Sequence, residues 1–228
     1  MQKTIHKILF VFFLSLFFFS CADSLPSIAE VKKTLVWEFH SQDSSPTQHL
    51  VLFLSLVSDE RRMDYFELIE KGGDLRWIIE NPEEYKLSNK VFLGSSKIMM
   101  PEGLVFKNGN YELRYFDLAD RMASEDFSLS IPSSFKDLSL DDITLEGIEE
   151  KVYGQEFSRH EIVLYDILKN PLYVGKITEE LESKESMLKK YPQTFSYREF
   201  YRTGDYSAVI LCPEVFIDDT MSLNKNYE

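Results

Sequence analysis

A chain of 228 residues with 44% hydrophobic and 14% aromatic side chains can bury a sizeable core, which excludes a disordered protein. It carries 38 acidic against 25 basic side chains, a formal net charge of −13. That balance opposes binding to a phosphate backbone or broadly to an anionic surface, so nucleic acid is set aside as a partner.

The chain opens Met1-Gln2-Lys3-Thr4-Ile5-His6-Lys7 and continues in an apolar run from Ile8 to Phe19, broken only by Ser15. A basic start followed by a short apolar stretch is the layout of a secretion signal over residues 1–20. The run is too short for a membrane-spanning helix, which needs about 20 apolar residues. It ends at Phe18-Phe19-Ser20-Cys21.

Those four residues resemble a lipobox, the site where bacterial lipoprotein precursors are acylated on cysteine and cleaved before it. Ser20 matches the small residue that precedes the cysteine. Phe18 departs from the usual Leu, in the manner of the relaxed boxes of spirochaete lipoproteins. The resemblance covers residues 1–21 alone. It implies that Cys21 becomes the lipidated N-terminus and that the membrane is a partner through this anchor. It places the protein in the bacterial cell envelope. Ala22, where Asp would signal retention at the inner membrane in some diderm bacteria, leans toward the outer membrane. An ordinary signal with an unmodified thiol is the alternative.

Only one other cysteine exists, Cys212, in the apolar run Val209-Ile210-Leu211-Cys212. An odd cysteine in an exported protein requires a reason, and acylation of Cys21 supplies one. Cys212 then reads as a small buried hydrophobe. A Cys21–Cys212 disulfide is the rival pairing. Residues 21–33 read as the lipidated cysteine and a tether.

Strand patterns follow. Leu35, Trp37 and Phe39 alternate with Val36 and Glu38, and His49–Val57 is a nearly unbroken apolar run. Further alternation falls on Leu75-Trp77-Ile79, Tyr111-Leu113-Tyr115 and Phe127-Leu129-Ile131, punctuated by Gly72-Gly73, Asn81-Pro82, Pro101-Glu102-Gly103 and Asn108-Gly109-Asn110. After Pro132-Ser133-Ser134 the pattern resumes at Ile143-Thr144-Leu145, Ile162–Tyr165, Leu172–Val174, Phe195–Arg202 and Tyr206–Cys212. One helix is expected over 179–191, with acids at its start and Lys189 and Lys190 at its end, stopped by Pro192 and burying Leu181, Leu188 and Tyr191.

The fold class is mainly β. Residues 34–131 resemble an immunoglobulin-like or fibronectin-like β-sandwich, with Tyr111 as its corner tyrosine and 127–131 as its last strand. Gly109-Asn110-Tyr111 recurs as Gly204-Asp205-Tyr206, which points to two sandwiches in tandem, 34–132 and 133–228, with one short helix in the second. A single larger β fold with a helix is the rival architecture.

No chemistry stands out. His40, His49 and His160 lack a third ligand or metal-binding spacing and read as surface residues. Asp141-Asp142 and Asp218-Asp219 lack the ligand pattern of a calcium loop. Leu93-Gly94-Ser95-Ser96 lacks the second glycine of a nucleophile elbow. No catalytic, cofactor-binding or metal residue is therefore assigned, and Cys21 is the one site residue. The expectation is a non-enzymatic envelope lipoprotein that presents β domains for a structural role or for contact with a protein partner whose identity the sequence leaves open. Binding of a lipid or small apolar ligand, with Ile98-Met99-Met100 among its apolar segments, and a hydrolase with an unrecognised site are the alternatives.

Overall fold

The computed structural model describes residues 25–57, 62–135, 140, 143–151 and 156–218. Residues 1–20, expected to form a secretion signal, and Cys21, Ala22, Asp141-Asp142 and Asp219 lie outside the described residues. The fold is mainly β, as expected, and is built from two sheets.

The chain enters β1 (Ile28–Glu38), turns into β2 (Thr47–Leu56) and crosses to β3 (Met63–Glu70). It continues through β4 (Arg76–Ile79), β5 (Glu83–Leu87), β6 (Lys90–Met99), β7 (Gly109–Asp117) and β8 (Met122–Leu129). A short 3-10 turn at Ser133–Phe135 leads to α1 (Leu145–Lys151), then β9 (Arg159–Tyr165) and β10 (Pro171–Lys176). A second 3-10 turn (Glu179–Leu181) and α2 (Lys184–Lys190) precede β11 (Ser196–Arg202), β12 (Ala208–Leu211) and β13 (Val215–Phe216).

The small sheet has the order β4-β3-β7-β8. The large one runs β10-β9-β11-β12-β1-β2-β6-β5, with β13 pairing to β11. The alternation read from sequence is the alternation that packs. Leu35, Trp37, Leu50, Leu52 and Leu54 from the large sheet meet Phe66, Leu68, Tyr111, Leu113, Tyr115, Phe127 and Leu129 from the small one. Gly94 lets β6 approach β2: a Cβ there would lie 2.1 Å from the Leu52 carbonyl oxygen.

The strand pairing corrects the tandem arrangement. β1 bonds to β2 on one side and, in parallel, to β12 on the other, with Leu35 opposite Ala208 and Trp37 opposite Ile210. Strands from both sides of residue 132 thus share one sheet. They also share a core, since Tyr201, Ala208, Ile210 and Phe157 pack in the same cluster as Leu35 and Trp37. Phe135 bridges the two, its ring 4.9 Å from that of Trp37 and 5.5 Å from that of Phe157. The physical reason is the open edge of β1, whose backbone groups need partners when apolar side chains bury it.

Four local expectations also change. Residues 28–33 belong to β1 and not to the tether: Ile28 and Val31 pack on the core, Lys33 on the same face lays its ammonium 5.3 Å over the Phe127 ring, and Lys32 faces away into solvent. Ile143-Thr144-Leu145 is not a strand but the start of α1, where the Thr144 hydroxyl accepts from the Gly147 amide and Ile143, Leu145 and Ile148 bury inward. The helix expected over 179–191 is split, because Ser183 caps a fresh helix by accepting from the Ser186 amide at 3.1 Å. The restart changes the phase, so Met187 is buried with Leu181 while Leu188 is exposed. Finally, Gly204-Asp205-Tyr206 is a turn between β11 and β12, not a strand start, and Tyr206 lies half exposed under the Arg202 guanidinium, 3.7 Å from its ring centre. Tyr111 is different: it is fully buried, and its hydroxyl donates to the Lys107 carbonyl at 3.3 Å.

Candidate functional site

Pleat parity decides which side chains of the large sheet meet. On the face shared with the core, β9 presents His160, β11 presents Tyr197, Glu199 and Tyr201, and the end of β12 presents Cys212. Here the sheet is covered by α1 and the 42–45 turn. Between them lies a cleft of about 280 Å³, lined by Gln42, Leu145, Glu146, Tyr197, Glu199, Tyr201, Cys212, Pro213 and Val215. A second cleft of about 390 Å³ shares Gln42, Leu145 and Glu146 and extends along Asp43, Ser44, Ser45, Ile143 and Thr144.

His160 is ordered at the margin of this region. Its Nε2 sits 2.7 Å from Glu199 Oε2, and its ring stacks on Tyr201 at 4.3 Å. A thiol activated by histidine requires the two to be within hydrogen-bond reach. Here β11 lies between β12 and β9, and two strand spacings amount to about 10 Å. Glu199 is the cross-strand neighbour of Cys212, whose backbone amide donates to the Glu199 carbonyl at 2.9 Å. The cleft wall combines carboxylates, tyrosine hydroxyls and aromatic rings.

The opposite face of the same strands holds charge internally. Arg202 donates to Glu161 through Nε and Nη2, both at 2.8 Å, and both side chains are buried. Arg198 reaches across β12: Nη1 donates to Glu38 at 2.6 Å, Nη2 to the Phe39 carbonyl at 3.0 Å and Nε to the Cys212 carbonyl at 2.8 Å. Burial pushes the Glu38 carboxyl up, and the Arg198 bond and charge overcome it, leaving Glu38 below its usual pKa.

His49 lies beside this pair and corrects the surface assignment of the histidines. It is 7% exposed, with Nδ1 4.0 Å from Glu38 Oε2. Burial holds its pKa below the ordinary value, against the opposing pull of Glu38. His40 is exposed, its Nε2 3.3 Å from the Thr47 hydroxyl. Among the described residues no group of three or more His, Cys, Asp or Glu stands ready to hold a metal ion.

Cys212 is half-buried at the cleft wall, less enclosed than the sequence suggested. The Phe39 amide donates to the Leu211 carbonyl, so Cys212 lies level with Phe39, at the end of β1 opposite Ile28, where the chain enters.

Sequence reasoning found neither the cleft nor the ion pairs Glu161–Arg202 and Glu38–Arg198. Each needs the register of β9, β11, β12 and β1, which no local pattern encodes. No family model matches the chain, and no curated protein matches it significantly.

Proposed function

We propose that the protein is a bacterial envelope lipoprotein, anchored through acylated Cys21 and carrying a non-enzymatic immunoglobulin-like β module for protein contact or a structural role. The observation that carries this reading is the N-terminal pattern Lys3–Cys21 set seven residues before the first strand. Acylation of Cys21 supplies an account of an odd cysteine in an exported chain, and Cys212 stands at the end of β1 opposite the chain's entry. Membrane attachment then depends on the lipid: among the described residues no helix is long and apolar enough to cross a membrane. Two or more acyl chains suffice for stable anchoring.

The immunoglobulin-like assignment rests on strand order. β1-β2-β6-β5 facing β4-β3-β7-β8 corresponds to strands A-B-E-D facing C′-C-F-G. Tyr111, at the start of the strand equivalent to F, bonds back to Lys107 as a tyrosine corner does. In this reading β9 to β12 extend the A-B-E-D sheet past its A strand.

The ligand-binding alternative draws on the clefts, whose walls favour a small polar or cationic ligand over an apolar one. Ile98 is in the core and Met99 is exposed, so that segment lines neither cleft. The hydrolase alternative finds no carboxyl raised toward a general acid among the shifted ones, all of which are lowered.

Intact mass of the protein purified from a bacterial host, beside Cys21→Ser, tests the proposal. The wild type should lack residues 1–20, carry the added mass of acyl chains and partition into detergent, while the variant should not. An unmodified wild-type N-terminus would replace the anchor with a soluble exported protein.

A further inference from the structure

We infer that the pole of the sandwich where the chain enters is a lipid-contact surface that seats the module on the membrane in one orientation; this rests on the anchor proposed at Cys21. Pairing brings four chain segments to that pole. Ile28 opens β1 opposite Leu56, and the Val57 amide donates to the Ser27 carbonyl at 2.9 Å. The β5–β6 turn closes there, with Leu87 opposite Lys90 and Lys90 Nζ 2.8 Å from Glu30 on β1. The start of β3 and the β7–β8 turn join them, since Met63 pairs with Asp117 and the Leu118 amide donates to the Arg62 carbonyl.

Large apolar side chains stand exposed on these segments: Leu25 at 76%, Val57 at 74%, Leu118 at 71%, Met122 at 49% and Leu87 at 44%. The tip that carries Leu118 is rigid. Asp117, 2% exposed, accepts from the amides of Ala119 and Arg121 and from the Arg121 guanidinium, and Asp120 takes φ +56°. A turn held this firmly keeps its leucine in the solvent, a position unfavourable in water and favourable at a lipid interface.

The occupant follows from chain length. A tether reaching at most about 25 Å holds this pole, and not the opposite one, beside the acyl chains. Local charge allows the approach that the acidity of the whole opposes. At these strand ends Lys90 pairs with Glu30, Lys86 with Glu84 and Arg121 with the buried Asp117, so much of the charge is balanced within the fold.

The test uses the full, processed protein in vesicles of phosphatidylethanolamine and phosphatidylglycerol containing chain-brominated lipid. Tryptophan is added by Leu118→Trp at this pole, or by Ile167→Trp at the far β9–β10 turn, where Ile167 is equally exposed at 68%. The wild type gives the baseline of Trp37 and Trp77, and thermal melting checks that each variant folds. The emission added by Leu118→Trp should be lost to brominated lipid and shift to shorter wavelength, while that added by Ile167→Trp should do neither. If intact mass shows acyl chains but both probes behave alike, the surface is refuted and the anchor stands. Quenching independent of lipid, dependent on protein concentration, would assign the pole to a second copy and overturn the inference. If the mass shows no acyl chains, the anchor fails, and the surface fails with it.

Discussion

Arg202 and Glu161 form a paired charge on adjacent strands, with side chains only 10% and 8% exposed. Removing one partner strands the other in a low dielectric. Arg202→Leu should therefore destabilise the fold by about 3–5 kcal/mol, and Glu161→Leu with Arg202→Leu should recover most of it, as urea midpoints would show. Tyr111→Phe removes the hydroxyl that donates to Lys107 and should cost about 1 kcal/mol with no change of fold. His49 sets a pH dependence. Its unfolded pKa is near 6.5 and its folded pKa is lower, so acid protonates the unfolded chain first and favours it. Its contribution is intact above about pH 6.5 and is lost as pH falls through that value toward the folded pKa. Denaturation midpoints measured on either side of that pH should differ more for the wild type than for His49→Gln. At this scale the sequence was legible wherever one residue acts through its own neighbours, as at Tyr111. It put His49 at the surface, because its burial depends on strands far away in the chain.

Elements divide by the range of the forces that define them. β1, β2, β7, β8, β9 and β11 were readable because alternating apolar residues repeat with the pleat, and the structure buries those same residues. β5 was not: all five of its residues are exposed, so no apolar face marks it, and only pairing with β6 makes it a strand. α1 was mistaken for a strand because Ile143-Thr144-Leu145 is β-branched and apolar, while the Thr144 cap and Ile148 outweigh that propensity. Ser183→Ala should loosen α2 by about 1 kcal/mol, measurable as faster amide exchange at Ser186. Gly94→Val places a branched side chain against the Leu52 carbonyl and Phe53, and should cost about 1–3 kcal/mol or more as β6 is pushed off β2.

For the whole molecule, the parallel bond between β1 and β12 joins the ends of the fold. Their shared core predicts one cooperative unfolding transition for residues 25–218, observed as coincident calorimetric and spectroscopic melts. Two separated transitions would restore a division near residue 132. The sequence by itself determined the secretion-like start, the cysteine at 21, the β class and most inward-facing side chains, because each is written in composition or in spacing of a few residues. Only the tertiary structure decided that both stretches build one sheet, that Glu199 holds His160 beside a cleft, and that Leu25, Val57, Leu87, Leu118 and Met122 stand exposed at one end of the sandwich. Those features depend on strand order and register, which are set by how faces distant in sequence exclude water together.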